Sequence, residues 1–355
     1  MPVISKLEEI RLIQFRCFES LVFRPVAGCN LIVGPNAQGK TSLLEAICVL
    51  LRLQSPRTNM LGTMIRHGQT GFGLEGFCCG YHLQVRQETG HRTFQLDSIE
   101  QKFAREYLSV ARVAWFANSD GELIRGGGGM RRRYLDFLGT QTDPDYLPYL
   151  RAYERAWKSR NLLLKGGASR NEVHAFDEPL AIAGEALAAR RLSLVCELTP
   201  LFLQAASEIS GSDEVLSLHY EPGFQTDLRK ELLENETEER RLRYTVVGIH
   251  RDELRLSLDG GRPVAVFASE GQQRTIVLAL KLAQARLLAT RTGCAPILLM
   301  DDIFGELDVG RRERLLSHLP SEAQKIITTT SIEGIFGDIS HASCFRIEQG
   351  QFTEN

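Results

Sequence analysis

The chain has 355 residues, with 42 basic and 44 acidic side chains for a formal net charge of −2, and 43% of its residues are hydrophobic. At roughly 150 residues per domain, this length holds about two domains, and the large apolar share excludes a largely disordered chain. A near-neutral protein does not coat nucleic acid by bulk charge, so DNA or RNA binding must come from a local patch or a conditional state.

No run of 18 consecutive apolar residues occurs, which argues against a transmembrane helix and against membrane contact. The opening Met1-Pro2-Val3-Ile4-Ser5-Lys6 has no basic segment followed by an apolar one, so no secretory leader is expected. The eight cysteines are scattered, Cys78-Cys79 is a vicinal pair, and no Cys/His set has zinc-ligand spacing. Reduced thiols and a cytoplasmic location are the expectation.

In chain order, the first quarter reads as strands and one helix. Asn30-Leu31-Ile32-Val33 is a short apolar run ending at Gly34, as a buried strand ends at a turn. From Lys40 the apolar residues Leu43, Leu44, Ile47, Leu50 and Leu51 fall at helical spacing. Residues 72–97 alternate loosely around Gly80 and Gly90, which predicts strands. A glycine run, Gly126 to Gly129, leads into Arg131-Arg132-Arg133. From there to about residue 243 the pattern is mostly helical. Tyr149, Tyr153 and Trp157 are four apart, residues 181–189 are alanine-rich, and residues 231–243 carry both signs of charge, as a solvated helix or loop does. A long helix is predicted between 268 and 292. Strand signals return at Ile297-Leu298-Leu299-Met300 and Lys325-Ile326-Ile327-Thr328. Strand-rich ends around a helical middle predict a discontinuous α/β domain with a helical insertion, divided as 1–122, 123–243 and 244–355.

The strongest chemical signal is Gly34-Pro35-Asn36-Ala37-Gln38-Gly39-Lys40-Thr41, a full GxxxxGK[ST] match between a predicted strand and a predicted helix. Glycines let backbone N–H groups close around phosphate oxygens, and the helix N-terminus adds its positive dipole end. Lys40 can reach the outer phosphates, and Thr41 can hold Mg²⁺ through its hydroxyl. A second signal is Asp301-Asp302 at the end of an apolar strand. Asp301 would orient the magnesium shell, and Asp302 could accept a proton from an attacking water. A third is Ser269-Glu270-Gly271-Gln272 ahead of the long helix. It reads either as a plain capping box from Ser269 to Gln272 or as a second anion site at a helix N-terminus. Ordinary P-loop GTPases and kinases lack that third element.

Other matches fail on context. Gly71-Phe72-Gly73-Leu74-Glu75-Gly76 fits GxGxxG, but the segment before it is polar and the one after it alternates like a strand. His250-Arg251-Asp252 mimics a kinase catalytic loop, yet Ser257 stands where the required asparagine would be. The sequon Asn235-Glu236-Thr237 has no use in a cytoplasmic chain. Arg131-Arg132-Arg133 reads as solvated surface or as phosphate contacts. Between Leu123 and Arg170 lie ten Lys/Arg and four Asp/Glu, a local excess of +6 that suits DNA. Tyr149, Tyr153 and Trp157 at helical spacing are more often core than a base-stacking platform.

The order of the motifs resembles the ABC-type ATPases and, more closely, their SMC-like branch. It then narrows to the bacterial RecF family. The segments that carry this are Phe15-Arg16, the loop ending Gly39-Lys40-Thr41, Asp120, Arg131-Arg132-Arg133-Tyr134-Leu135-Asp136, Arg160-Asn161, Gly248-Ile249-His250-Arg251-Asp252, Gly271-Gln272-Gln273-Arg274 and Asp301-Asp302-Ile303-Phe304-Gly305-Glu306-Leu307-Asp308. The resemblance implies an ABC/SMC-type P-loop ATPase head with an inserted, mainly helical second lobe. It implies ATP and Mg²⁺ as cofactors, with Lys40 and Asp302 in catalytic roles and Thr41 and Asp301 on the metal. Arg16 would approach the nucleotide. Ser269, Gly271 and Gln272 would complete the site of a second copy, so that ATP closes a homodimer. The family's role is recombination mediation and replication-fork maintenance: binding gapped single/double-strand DNA junctions, helping RecR and RecO load RecA, and leaving DNA on slow ATP hydrolysis. Departures from the family pattern are Glu270 for a usual Gln and Asn118-Ser119-Asp120 for Pro-Glu-Asp, which leaves Asp120 as candidate sensor. Thr328-Thr329-Thr330 stands where transporters carry a switch histidine. The alternatives are a transporter motor subunit, which would need glutamate at Asp302 and histidine at Thr330, or another SMC-like ATPase.

Overall fold

The apolar runs at Cys29–Val33, Ile297–Asp301 and Lys325–Thr329 form strands that lie side by side in one six-stranded sheet. The computed structural model describes residues 3–58, 60–211, 214–331, 342–348 and 351–354. From edge to edge, the sheet runs Gln351–Glu354, Ser343–Glu348, Cys29–Val33, Lys325–Thr329, Ile297–Asp301, Val113–Ala117. Every neighbouring pair is parallel except the first. Parallel strands are buried on both faces and so need continuous apolar runs, which is why these segments stood out in the sequence.

The alternating segments form a second six-stranded sheet, antiparallel throughout, in the order Phe18–Phe23, Leu7–Phe15, Gly71–Cys78, Tyr81–Glu88, His91–Leu96, Ile99–Glu100. The GxGxxG decoy lies inside its strand Gly71–Cys78. A Cβ on Gly76 would sit 2.4 Å from the Glu9 carbonyl oxygen and 2.8 Å from Leu50 Cδ2, so this glycine serves close packing rather than phosphate. The helix Lys40–Arg52 packs against strands of both sheets. It is buried on nearly all sides, and its Leu43, Leu44, Ile47 and Leu50 have no exposure.

By compactness the chain separates into two units: Met1–Asp120 with Ala205–Ser212 and Leu278–Asn355, which holds both of these sheets, and Gly121–Gln204 with Asp213–Val277. Residues 244–277, grouped from sequence pattern with the C-terminal part of the head, count with the second unit. The physical reason is the strand Glu253–Leu258, which pairs antiparallel with Leu216–Glu221 and with Arg262–Pro263. Both long segments of this small sheet, LSLHYE and ELRLSL, alternate apolar and polar as strands do, inside otherwise helical surroundings.

The second unit is otherwise helical, with Gly128–Thr142, Tyr146–Gly166 and the start of Asp177–Ser210. Tyr146, Tyr153, Leu180, Leu187, Phe224, Leu228, Leu232 and Ile249 form its core, and Tyr149 and Trp157 pack against them. The aromatic trio is therefore core. Residues 231–243 are the short helices Leu228–Glu234 and Glu236–Leu242, with Leu232 and Glu239 turned inward. The stretch Arg170–Ser210 is long and apolar enough by length and mean hydropathy to cross a membrane. Its Leu180, Leu187, Leu194, Leu198 and Phe202 are buried within the protein, as in a core helix.

Candidate functional site

Three segments distant in sequence meet at the C-terminal ends of the parallel strands, where open α/β sheets bind ligands. The first is the loop Gly34–Thr41 between the strand Cys29–Val33 and the helix Lys40–Arg52. Gly39 has φ +99°, and a Cβ there would lie 2.6 Å from Phe18 Cζ and 2.7 Å from Cys17 Sγ. Only glycine suits both the backbone angle and the close approach. Lys40 is buried, and its Nζ donates to the carbonyls of Gly34 at 2.5 Å and Pro35 at 2.8 Å. Burial lowers its pKa, while the Asp302 and Asp301 carboxylates oppose that shift.

The second segment is the end of the strand Ile297–Asp301. Asp301 Oδ1 accepts from the Thr41 hydroxyl at 2.8 Å and from the Thr328 hydroxyl at 3.0 Å. Burial raises the Asp301 pKa, and these two hydroxyls pull it back. Asp302, next in line, has φ 51°, the left-handed region that costs a non-glycine residue about 1 kcal/mol. Its carboxyl pKa is also raised, by burial first, with Lys40 lowering it and Asp301 and Glu306 adding to the rise. A carboxylate more basic than usual is better suited to take a proton from water. The third segment is the strand Lys325–Thr329, which delivers the Thr328 hydroxyl.

Arg16 lies beside Cys17 and Phe18, the residues packed on Gly39. Its guanidinium is anchored rather than free. Nε and a terminal nitrogen both lie 3.0 Å from Glu45 Oε2, and the other terminal nitrogen donates to the Thr63 carbonyl. Glu45 is fully buried in the helix that follows the loop. A lone carboxylate among Leu43, Leu44, Ala46 and Ile47 was the sequence signal for such a partner, and it went unread.

Ser269 and Gln272 form the expected capping box. The Ser269 N–H donates to Gln272 Oε1 at 2.8 Å, and the Gln272 N–H donates to Ser269 Oγ at 3.3 Å. Gln272 also donates to Glu214 at 2.8 Å. These residues belong to the second unit, at the start of the helix Glu270–Thr292. Glu270 is exposed and turned to Arg274, 2.9 Å away, so its carboxylate does not face the helix end.

Asp120 accepts from the Ala117 N–H at 2.7 Å and lies 3.3 Å from Lys281 Nζ. Burial raises its pKa, and Lys281 is the main opposing influence.

Four of the ten basic residues in this stretch are spent on structure. Arg131 binds Glu253 through two nitrogens, at 2.5 and 2.8 Å, and also the Gly126 carbonyl at 2.7 Å. Arg132 donates to the Asp252 carbonyl at 2.9 Å. Buried Arg160 pairs with Asp177 at 2.8 Å and Glu239 at 2.6 Å, and Arg170 pairs with Glu236. These four carboxylates lie outside residues 123–170, so the +6 counted along the chain overstates the local field. His250-Arg251-Asp252 joins the same framework. Asp252 is fully buried and accepts from Arg191 at 2.6 Å and from the Tyr220 hydroxyl. His250 Nε2 donates to the Thr245 carbonyl at 3.0 Å, and its Nδ1 accepts from the Tyr153 hydroxyl at 2.8 Å.

A glycine-rich loop on a parallel strand, an Asp-Asp pair two strands away in the same sheet and a capped helix bearing Ser-x-Gly-Gln define an ABC/SMC-type ATPase head. The RecF/RecN/SMC N terminal domain model matches residues 6–350. The DNA replication and repair protein RecF of Acaryochloris marina is 33% identical, covering 92% of this chain and 93% of that protein. The protein of the same name from Geobacillus kaustophilus is 32% identical, covering 98% and 99%. The solved structure of the recombination mediator RecF with ATP superposes with a TM-score of 0.89 at 28% identity, covering 100% of this chain and 99% of that one. An SMC head bound to the winged-helix domain of ScpA, at 13% identity and a TM-score of 0.58, shares the fold. This chain belongs to the RecF family.

Proposed function

We infer that this protein is an ATP-dependent DNA-binding mediator of recombinational repair, acting in the cytoplasm. The observation that carries the reading is the Thr41–Asp301 contact at 2.8 Å beside the buried Lys40. Phosphate loop and acidic strand are already assembled, in a chain whose relatives include the ATP-bound recombination mediator RecF of the RecFOR pathway. Lys40, the loop backbone of Gly34, Pro35, Asn36, Ala37, Gln38 and Gly39, and Arg16 would hold ATP.

Thr41 and Asp301 would hold Mg²⁺. No group of three or more His, Cys, Asp or Glu side chains suited to a metal occurs among the described residues. A hydroxyl and one carboxylate are the usual protein share of an Mg²⁺ shell completed by phosphate oxygens and water. The bound ion would supply charge neutralisation at the transferred phosphate. Asp302 receives the proton of the attacking water, and its raised pKa suits that role.

ATP closes a homodimer in which Ser269, Gly271 and Gln272 of one copy complete the site of the other, and hydrolysis reopens it. ATP works here by binding the closed state better than the open one. Helical lobe and head divide the work as DNA-binding arm and motor. The arm's direct phosphate contacts come from the run Arg131-Arg132-Arg133. The DNA is a gapped single/double-strand junction, and the partners are RecR, RecO and RecA-type proteins.

Sedimentation with and without ATP and a gapped duplex tests this. Dimer and DNA retention should both require ATP, and retention should fall with salt. Equal retention without nucleotide would overturn the switch.

A further inference from the structure

The backbone of Asp302 is held from both sides by residues outside the phosphate loop and the Asp-Asp pair. On one side, the Asp302 N–H is shared between the Thr328 carbonyl at 3.2 Å and Thr328 Oγ1 at 3.0 Å. The same hydroxyl donates its own hydrogen to Asp301 Oδ1 at 3.0 Å, so one buried group sits between the two acids. On the other side, the Asn118 side-chain amide donates to the Asp302 carbonyl at 3.2 Å. Asn118 opens the turn Asn118–Gly121, which is itself locked. Within it, Asp120 ties the Ala117 N–H to Lys281 of the long helix Glu270–Thr292. Both peptide groups of a residue in the left-handed region are thus fixed, which narrows the rotamers open to its carboxyl.

We propose that Asn118 and Thr328 are positioning residues for hydrolysis, which aim the Asp302 carboxylate by clamping its main chain. The proposal rests on the reading of Asp302 as the proton acceptor. Neither side chain needs to touch nucleotide for this. Their loss should therefore slow turnover and leave ATP affinity in place, because a misaimed base affects the transition state and not the bound substrate.

The test is a set of variants measured for single-turnover and steady-state ATP hydrolysis and, separately, for binding of a non-hydrolysable ATP analogue. Asn118→Ala and the near-isosteric Asn118→Asp, which has no N–H to donate, should each lower kcat by about tenfold or more. Analogue affinity should stay within about twofold, since uniform binding is untouched. Thr328→Val should lower turnover as well, with any change in analogue affinity assigned to its bond to Asp301, and Thr328→Ser, which keeps the hydroxyl, should restore turnover. Asn118 is exposed, so its variants fold and carry the test even if Thr328→Val does not. Wild-type kcat in both Asn118 variants would overturn the clamp, and so would a fall in analogue binding equal to the fall in kcat. Asp302→Asn separates the two readings. If it leaves hydrolysis intact, the assignment of Asp302 fails. If it abolishes hydrolysis while the Asn118 variants are normal, only the clamp fails.

Discussion

Charged residues serve opposite ends in the two units. Around the phosphate loop, Lys40 rests on two carbonyls of its own loop, and Asp301 accepts from hydroxyls alone. Lys40 and Asp302 feel each other's charge, yet among the described residues neither forms an ion pair, so each can accept a ligand's charge or proton. In the second unit Arg191 spends its nitrogens on Asp136, Asp252, Tyr146 and the Ile249 carbonyl, all buried or nearly so. Arg160 does the same with Asp177, Glu239 and Thr245. Both regions hold Arg and Asp residues. Environment, not residue type, separates a site from a scaffold: a charge under-matched at a strand end is chemistry, and one fully matched in a core is architecture.

The widest contrast is expected from Arg191→Ala. It leaves the fully buried Asp252 and the part-buried Asp136 without their partner and should cost about 3–5 kcal/mol of stability, read by urea unfolding. A loss under about 1 kcal/mol would mean the framework is not structural. Lys40→Met should weaken ATP binding by about 100-fold, roughly 3 kcal/mol, with the melting temperature of the nucleotide-free protein little changed. Unchanged affinity by fluorescent-nucleotide titration would remove the site.

A third expectation concerns pH. Burial holds His250 down to about 4, against an ordinary 6.5. The unfolded chain therefore takes up a proton first on acidification. Stability is full above about pH 6.5 and drains as pH falls toward 4, by about 2 kcal/mol once partial exposure is allowed for. His250→Gln should flatten that slope in unfolding titrations. Smallest is Ser269→Ala, which removes half a capping box and should cost about 1 kcal/mol. Ser269→Arg sharpens the point: if Ser269 serves only as a cap, both variants lose the same stability and keep the ATP-dependent dimer. Loss of the dimer in the arginine variant alone marks a role toward the second copy.

The phosphate loop, the Asp-Asp pair and the capped helix were legible because each is local: a fixed spacing on a strand–turn–helix or at a helix start. The parallel strands were legible through burial on both faces. The small sheet through Leu216–Glu221 and Glu253–Leu258 carries the alternation of strands, but each run is only six residues long and lies among helical patterns, so period alone does not outweigh the surroundings. The partners of Arg131 and Asp120 were also hidden. Glu253 and Lys281 lie more than a hundred residues along the chain from them, and no periodicity reports a contact of that kind. The charge count over 123–170 misled for the same reason, because its neutralising carboxylates come from elsewhere in the sequence.

The parallel sheet has a consequence for biosynthesis. Thr41 and Asp301 are 260 residues apart, and the strand Cys29–Val33 pairs only with strands that begin at Lys325 and Ser343. At about 5–20 residues per second, the phosphate loop leaves the ribosome roughly 15–50 seconds before its acidic partner. During that interval Leu31 and Ile32 have no neighbouring strand to cover them. The nucleotide pocket is then among the last parts of the molecule to be completed, and a nascent chain stalled short of Asp301 would carry an intact phosphate-binding motif with nothing to hold it shut.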